Sequence, residues 1–368
     1  MKKRKDPKMT TFEKVLSLLR CELWGEPLAC EIAADDIDGI LAMAEEQGVS
    51  GLVANAIISS NLPIGEVKTV DVCTVQRLHE LKCRDMNKMV ARFAGFLNRR
   101  ELKYVVMKGQ TMAALYPHPL MRSCGDIDFY CPEDSFEDTK KVIEERLQVT
   151  IDAWDDTKHL EFKQGDVVFE MHSALTVFGS RKHQRYWDEM IKDEKMDTVV
   201  MIDGVEVHSL SPTIYALYLF VHLFGHFIME GVSLKQLCDI AVFLHEKRSV
   251  IDKEKLNGFL EGLGLKKAYL CWGQWTIKNL SLPASDFPFD VSSVSGKWNK
   301  KFTDSLQMHR LSKTESRAPG GIASKKVLLK RAGWVLQQVA RFYELAPREV
   351  FCRMIEMTVR QVRLRRKV

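Results

Sequence analysis

The chain has 368 residues, 46% of them hydrophobic, which is enough apolar material for two or three packed units and excludes an intrinsically disordered protein. Lys and Arg number 54 against 49 Asp and Glu, and a formal net charge of +5 is too small to imply nucleic acid as a partner by itself, although it leaves one open. The nine cysteines include no C-x-x-C pair, so neither a zinc knuckle nor a thioredoxin-type redox site is encoded, and the odd count fits reduced thiols in a cytoplasmic protein.

No signal-peptide pattern follows Met1. The longest apolar run, Ile214 to Ile228, is broken by His222 and His226 and falls short of the ~20 residues a bilayer span needs, so no membrane span is expected. Lys2, Lys3, Arg4 and Lys5 open the chain, and Arg360, Arg363, Arg365, Arg366 and Lys367 close it. Such basic ends read as solvated tails or helix C-termini before they read as polyanion contacts.

Residues 1–98 form a helical N-terminal segment, with apolar residues at helical spacing: Phe12, Val15, Leu16 and Leu19, then Ile37, Ile40, Leu41 and Ala44, then Leu78, Leu81, Met89, Phe93 and Leu97. Asp35-Asp36 offers a cap to the second helix, and Gln47-Gly48 ends it. Residues 99–208 change character. Tyr104 to Met107 is a short β-rich run stopped by Lys108-Gly109; Gln110 to Tyr116 reads as a short helix, and Asp126 to Cys131 as a strand. A helix over Ser135 to Leu147 follows, then strands at Thr150 to Trp154, His159 to Lys163, Val167 to His172 and Val199 to Val207. The fold class is therefore α+β, a small mixed or mainly antiparallel sheet embedded in N- and C-terminal helical segments. Residues 209–282 are helical again, 283–324 read as an irregular loop or linker, and 325–368 as C-terminal helices with a basic end.

Phosphoryl transfer needs a divalent cation held by oxygen ligands. Asp126 and Asp128, at i and i+2 on one strand, point the same way and can share one, a pattern that on its own is more often a solvated acidic pair. Their position after Lys108-Gly109 gives the pattern weight, because backbone amides and a cation at that turn can face a triphosphate. A third carboxylate is expected from a neighbouring strand. Glu170 is the candidate, on the face that alternation gives to Val168 and His172 and opposite Val167, Phe169 and Met171. Arg122, in the loop before the acidic strand, can fork onto phosphate oxygens or pair with Asp126 or Asp128. His159 and His172 are placed near the carboxylates, for acceptor binding or proton transfer, or as hydrogen-bonded structural histidines. His222, His226 and Glu230 make an i, i+4, i+8 row without the H-E-x-x-H glutamate, which favours a cleft lining over zinc. Lys235 and Asp239 are either an intrahelical ion pair or cleft contacts to base or ribose.

Taken in order, Val105-Val106-Met107-Lys108-Gly109, Leu115-Tyr116-Pro117, Arg122, Asp126-Ile127-Asp128 and Glu170-Met171-His172 resemble the uncharacterised nucleotidyltransferase family of bacterial genomes, over about Leu41 to Leu263. The resemblance implies a DNA polymerase β-like nucleotidyltransferase fold, Mg²⁺ with Mn²⁺ as an alternative, a nucleoside triphosphate such as ATP as donor, and a hydroxyl or phosphate acceptor. It implies metal binding by Asp126, Asp128 and Glu170, and triphosphate contacts from Lys108, Gly109 and Arg122. Where the superfamily carries Gly-Ser, this chain has Gly109-Gln110, with Thr111 next to take the serine's place. The acceptor is left open among a small metabolite, a sugar phosphate, a protein side chain and an RNA end. A non-catalytic nucleotide-binding protein and a kinase-like transfer of the γ-phosphate are the rival readings.

Overall fold

A computed structural model describes residues 9–153, 159–192, 194–229, 231–307, 333 and 336–355. Both basic ends, Trp154, Glu230 and most of the expected C-terminal helical segment lie outside these residues, as does the His159 side chain.

Helix α1 (Thr11–Trp24) opens with a capping box, in which the Glu13 N–H donates to the Thr10 hydroxyl and the Glu13 carboxylate accepts from the Thr10 N–H, and it ends on left-handed Gly25. Helices α2 (Ile37–Glu46), α3 (Ser50–Ser59) and the long α4 (Glu66–Asn98) follow. The end of α2 falls at Gln47 and Gly48, whose φ of 67° is the left-handed stop that the sequence signals there. Next come β1 (Val105–Met107), α5 (Gly109–Ala113), β2 (Ile127–Tyr130), α6 (Phe136–Leu147), β3 (Asp152–Ala153), β4 (His159–Gln164) and β5 (Val167–His172). Helix α7 (Arg181–Lys192) and the hairpin β6 (Thr198–Ile202) and β7 (Val205–Ser209) lead to α8 (Pro212–Met229), α9 (Leu234–Lys247), α10 (Lys253–Gly262), α11 (Lys266–Leu280) and α12 (Lys297–Gln307).

The five-stranded sheet runs in the order β1-β2-β5-β4-β3. Strands β2 and β5 are parallel, the other pairings antiparallel, so the sheet is mixed. This parallel pairing positions the site, because it sets Asp128 directly beside Glu170. Strands β6 and β7 form a separate two-stranded sheet, turning at Asp203-Gly204.

Three departures from the sequence expectation have physical reasons. First, the helical segment 1–98 is divided between two cores. Helices α1 to α3 share one core with α8 to α12, whereas the second half of α4, from Cys83 to Leu97, backs the sheet. Leu78 and Leu81 are correspondingly exposed, while Met86, Val90 and Phe93 are buried. Second, residues 283–324 are not irregular throughout: in α12, Trp298 and Phe302 sit four apart on one face, and Phe302 stacks on Trp272 with ring centroids 3.9 Å apart. An aromatic pair of that kind adds about 0.5–1.5 kcal/mol beyond its area burial, which favours helix over loop despite the flanking Ser, Pro and Gly. Third, α7 was not expected; it buries His183, Trp187 and Ile191 at helical spacing amid charged residues. Helix α8 is long and apolar enough to cross a membrane by length and composition, yet most of it is buried inside the protein as a core helix.

Candidate functional site

The site begins where β1 stops. Lys108 takes φ 59° and ψ −137°, a conformation side chains oppose, and Gly109 follows at φ 53°. The turn is held from α8: the Lys108 N–H donates to the Tyr215 hydroxyl at 2.9 Å, and the Thr111 hydroxyl, buried, lies 2.9 Å from the same oxygen and donates to the Lys108 carbonyl at 2.7 Å. A Cβ on Gly109 would meet nothing within 4 Å, so the space in front of this turn is open.

The strained turn is testable without reference to chemistry, since Lys108→Gly and Lys108→Ala both remove the ammonium and only one keeps a Cβ. Strain relief of about 1–3 kcal/mol, less about 0.5–1 kcal/mol for glycine's greater chain entropy, leaves Lys108→Gly the more stable by about 1 kcal/mol. Urea denaturation of the two variants measures this. A Lys108→Gly variant less stable than Lys108→Ala by about 0.5–1 kcal/mol would mean the turn stores no strain.

From the turn, the Lys108 ammonium reaches Asp128 Oδ2 at 3.3 Å and donates to His222 Nε2 at 3.1 Å. Because an ammonium offers no lone pair, that His222 nitrogen is the acceptor and its ring proton is on Nδ1. Asp128 Oδ1 faces His172 Nε2 at 3.2 Å, and Glu170 Oε2 is 3.6 Å from the same nitrogen. Burial opposes the charge on Asp128, but Lys108 and His172 outweigh it and hold the carboxyl well below the usual range. Burial also works against the Lys108 and His172 cations; Asp128 reverses this for Lys108, and Asp128 with Glu170 for His172, so both are raised. His222 goes the other way: burial and the neighbouring Lys108 charge keep it neutral, far below its ordinary value.

Among the described residues, Asp128, Glu170 and His172 are the group whose ligand atoms converge, all within 4.8 Å of one another. The expected set was Asp126, Asp128 and Glu170. Asp126 precedes β2 and acts electrostatically on Lys108 and Lys235. His172 takes the third position because it lies two residues beyond Glu170, on the same face of β5.

Arg122 and Asp239, expected as a phosphate contact and as a partner of Lys235 or a cleft contact, are bonded to each other. Two hydrogen bonds of 2.7 Å join the guanidinium to the carboxylate, Tyr116 donates to Asp239 at 2.7 Å, and Arg122 also donates to the Gly109 carbonyl at 3.1 Å. Both charged residues are 3% exposed. Arg122 thus supports the Lys108-Gly109 turn from the buried side. Lys235, left without Asp239, has no carboxylate of the described residues within ion-pair distance. Burial and the Arg122 charge lower it, against the pull of Asp239 and Asp126.

Gln110, expected to stand where a serine would contact phosphate, is 2% exposed and donates to Cys124 Sγ at 2.9 Å, so its side chain turns inward. His226 stacks edge-on against His222, 4.5 Å between centroids, and His222 faces a lysine, an arrangement unsuited to zinc. His159 pairs in register with His172 across β4 and β5. The sequence reading overlooked three residues. Glu161 is opposite Glu170 in the antiparallel register and so on the same sheet face; Tyr215 anchors the turn; Tyr218 lies beneath the Lys108 ammonium, 6.0 Å from ring centre to nitrogen. Tyr215, Tyr218, His222 and His226 recur every three or four residues of α8, a signal that one helix face lines the site.

A family model for the uncharacterised nucleotidyltransferases matches residues 33–274, two thirds of the chain and every residue of this site. The chain belongs to that family. Among solved structures, an antigenic nucleotidyltransferase-like protein from Paracoccidioides brasiliensis is similar, with a TM-score of 0.32 and 15% identity over 52% of this chain and 92% of that one. No curated protein matches. Neighbouring ligands of an octahedral ion at about 2.1 Å stand about 3.0 Å apart, and the 3.2 and 3.6 Å separations around His172 Nε2 approach that spacing. The side chains that this nucleotidyltransferase family member brings together therefore fit a divalent cation.

Proposed function

We propose that this chain is a metal-dependent nucleotidyltransferase of the polymerase β-like type, moving a nucleoside monophosphate from a nucleoside triphosphate to a hydroxyl or phosphate acceptor. The observation that carries the proposal is the placing of Asp128, Glu170 and His172 beside the open Lys108-Gly109 turn. An acceptor oxygen attacks the α-phosphorus, the bond to the bridging oxygen breaks, and pyrophosphate leaves with that electron pair. Asp128 and Glu170 would hold Mg²⁺ or Mn²⁺, which when bound neutralises phosphate charge and lowers the pKa of the attacking group. Lys108 and Lys235 supply positive charge for the β- and γ-phosphates, and Gly109 lets the backbone approach them. Arg122 orders this turn through its bonds to the Gly109 carbonyl and Asp239. Glu161, on the carboxylate face, is placed to take the acceptor proton.

Incubation of the full chain with each labelled nucleoside triphosphate, a divalent cation and a panel of sugar phosphates, small hydroxyl metabolites, proteins and RNA ends tests the proposal. A nucleotidyl adduct with equimolar pyrophosphate is the expected outcome, and nucleoside diphosphate would instead mean γ-phosphoryl transfer. The inward-turned Gln110 favours one rival, a nucleotide-binding protein without turnover. Cation-dependent thermal stabilisation by a triphosphate with no product across the panel would establish that reading.

A further inference from the structure

We propose that His172 is a direct ligand of the divalent ion at Asp128 and Glu170, and that its imidazole turns the site's preference toward Mn²⁺ and away from Mg²⁺. The inference rests on the nucleotidyltransferase reading only for the presence of an ion.

The geometry carries it in three steps. His172 Nε2 lies 3.2 Å from Asp128 Oδ1 and 3.6 Å from Glu170 Oε2, and the three ligand atoms are within 4.8 Å of one another, so an ion shared by those oxygens would also be within reach of this nitrogen. The two oxygens of Asp128 are divided between partners: Oδ2 is taken by Lys108 at 3.3 Å, and Oδ1 is turned toward His172 and Glu170. Lys108 thereby fixes Asp128 as a one-oxygen ligand, as an outer hydrogen-bonding partner does in many metal sites. Finally, β2 and β5 are hydrogen-bonded neighbours in register, Asp128 with Glu170 and Tyr130 with His172, so the three ligands stand on adjacent strands whose spacing the sheet determines.

The donor set then biases the choice between Mg²⁺ and Mn²⁺. Mg²⁺ demands oxygen ligands and retains its waters, whereas imidazole nitrogen binds first-row transition ions much more readily. Two carboxylates and one imidazole, with positions left for phosphate and water, suit Mn²⁺. The imidazole lies against both carboxylates, 3.2 Å from Asp128 Oδ1 and 3.6 Å from Glu170 Oε2. His172→Asp gives a three-carboxylate site with a shorter third side chain, which should keep the ion through Asp128 and Glu170 and lose the selectivity.

The test is Mn²⁺ binding to the full chain followed by electron paramagnetic resonance, with Mg²⁺ as competitor, with and without a non-hydrolysable triphosphate. Bound Mn²⁺ is expected to show spin-echo modulation from a directly coordinated nitrogen, altered when histidine alone is ¹⁵N-labelled. In His172→Asp the modulation should vanish and the Mn²⁺-over-Mg²⁺ affinity ratio should fall by at least roughly 10-fold. Mn²⁺ bound to the wild-type protein without nitrogen modulation, an unchanged ratio in a folded His172→Asp, or no Mn²⁺ bound at all would each overturn the inference. The wild-type spectrum does not depend on any variant folding. Nitrogen coordination without transfer product would count against the transferase reading alone; transfer with an all-oxygen ion would count against this inference alone.

Discussion

Arg122→Ala is expected to cost about 3–5 kcal/mol of folding stability, because it leaves the Asp239 carboxylate buried and uncompensated. The pair is 3% exposed on each side, joined by two 2.7 Å bonds, and shared with Tyr116. A loss of that size is a large part of the 5–15 kcal/mol that holds a typical domain folded. Breaking the pair from the other side, by Asp239→Ala, should cost a similar amount. Replacing both by apolar residues, Arg122→Met with Asp239→Leu, should recover most of the loss, since the desolvation penalty of both charges disappears together. Urea denaturation of the wild-type protein and the three variants measures these differences. If Arg122→Ala folds with wild-type stability and merely loses affinity for triphosphate, the guanidinium is a ligand contact and the structural role assigned to it is wrong.

The second large effect concerns Asp128. Asp128→Asn keeps the side chain's shape and an oxygen that can accept from His172, but it removes the negative charge that Lys108, His172 and a bound cation share. If Asp128 is the charged ligand proposed above, its loss is worth several kcal/mol, and about 4 kcal/mol corresponds to about a thousandfold in rate. Turnover of nucleotidyl adduct should therefore fall by about that factor, with the circular dichroism spectrum unchanged. Chelation of divalent cations should abolish turnover in the wild-type protein as well. A variant that retains more than a tenth of wild-type turnover would move the reaction away from this carboxylate.

How much of the site could be read from the sequence depended on how local its cause was. Strand β5 shows one side of this. Alternation along Val167 to His172 is set by the pleat of a single strand, so Glu170 and His172 could be assigned to one face without knowing the fold. Choosing between Asp126 and His172 as third member of the ligand group could not be settled that way. It depends on β2 and β5 being parallel neighbours, a pairing between strands about 40 residues apart. Helix α12 shows the same limit in the fold: its Trp298 and Phe302 have helical spacing, but only Trp272, on another helix, gives that spacing a surface to pack against.

By itself, the sequence determined the strand break at Lys108-Gly109, the α+β character of the middle of the chain, the shared face of Glu170 and His172, and membership of a nucleotidyltransferase family. These follow from backbone periods, turn chemistry and short motifs, which act over a few residues. The tertiary structure alone decided that Arg122 is bonded to Asp239, 117 residues away, and that Lys108 is shared by Asp128 and His222, the latter 114 residues distant. A buried charge takes whichever opposite charge or acceptor the packing brings within about 3 Å, because leaving it unpaired costs several kcal/mol. Which partner that is depends on how α8 and α9 lie against the β1 turn, and no local pattern encodes that.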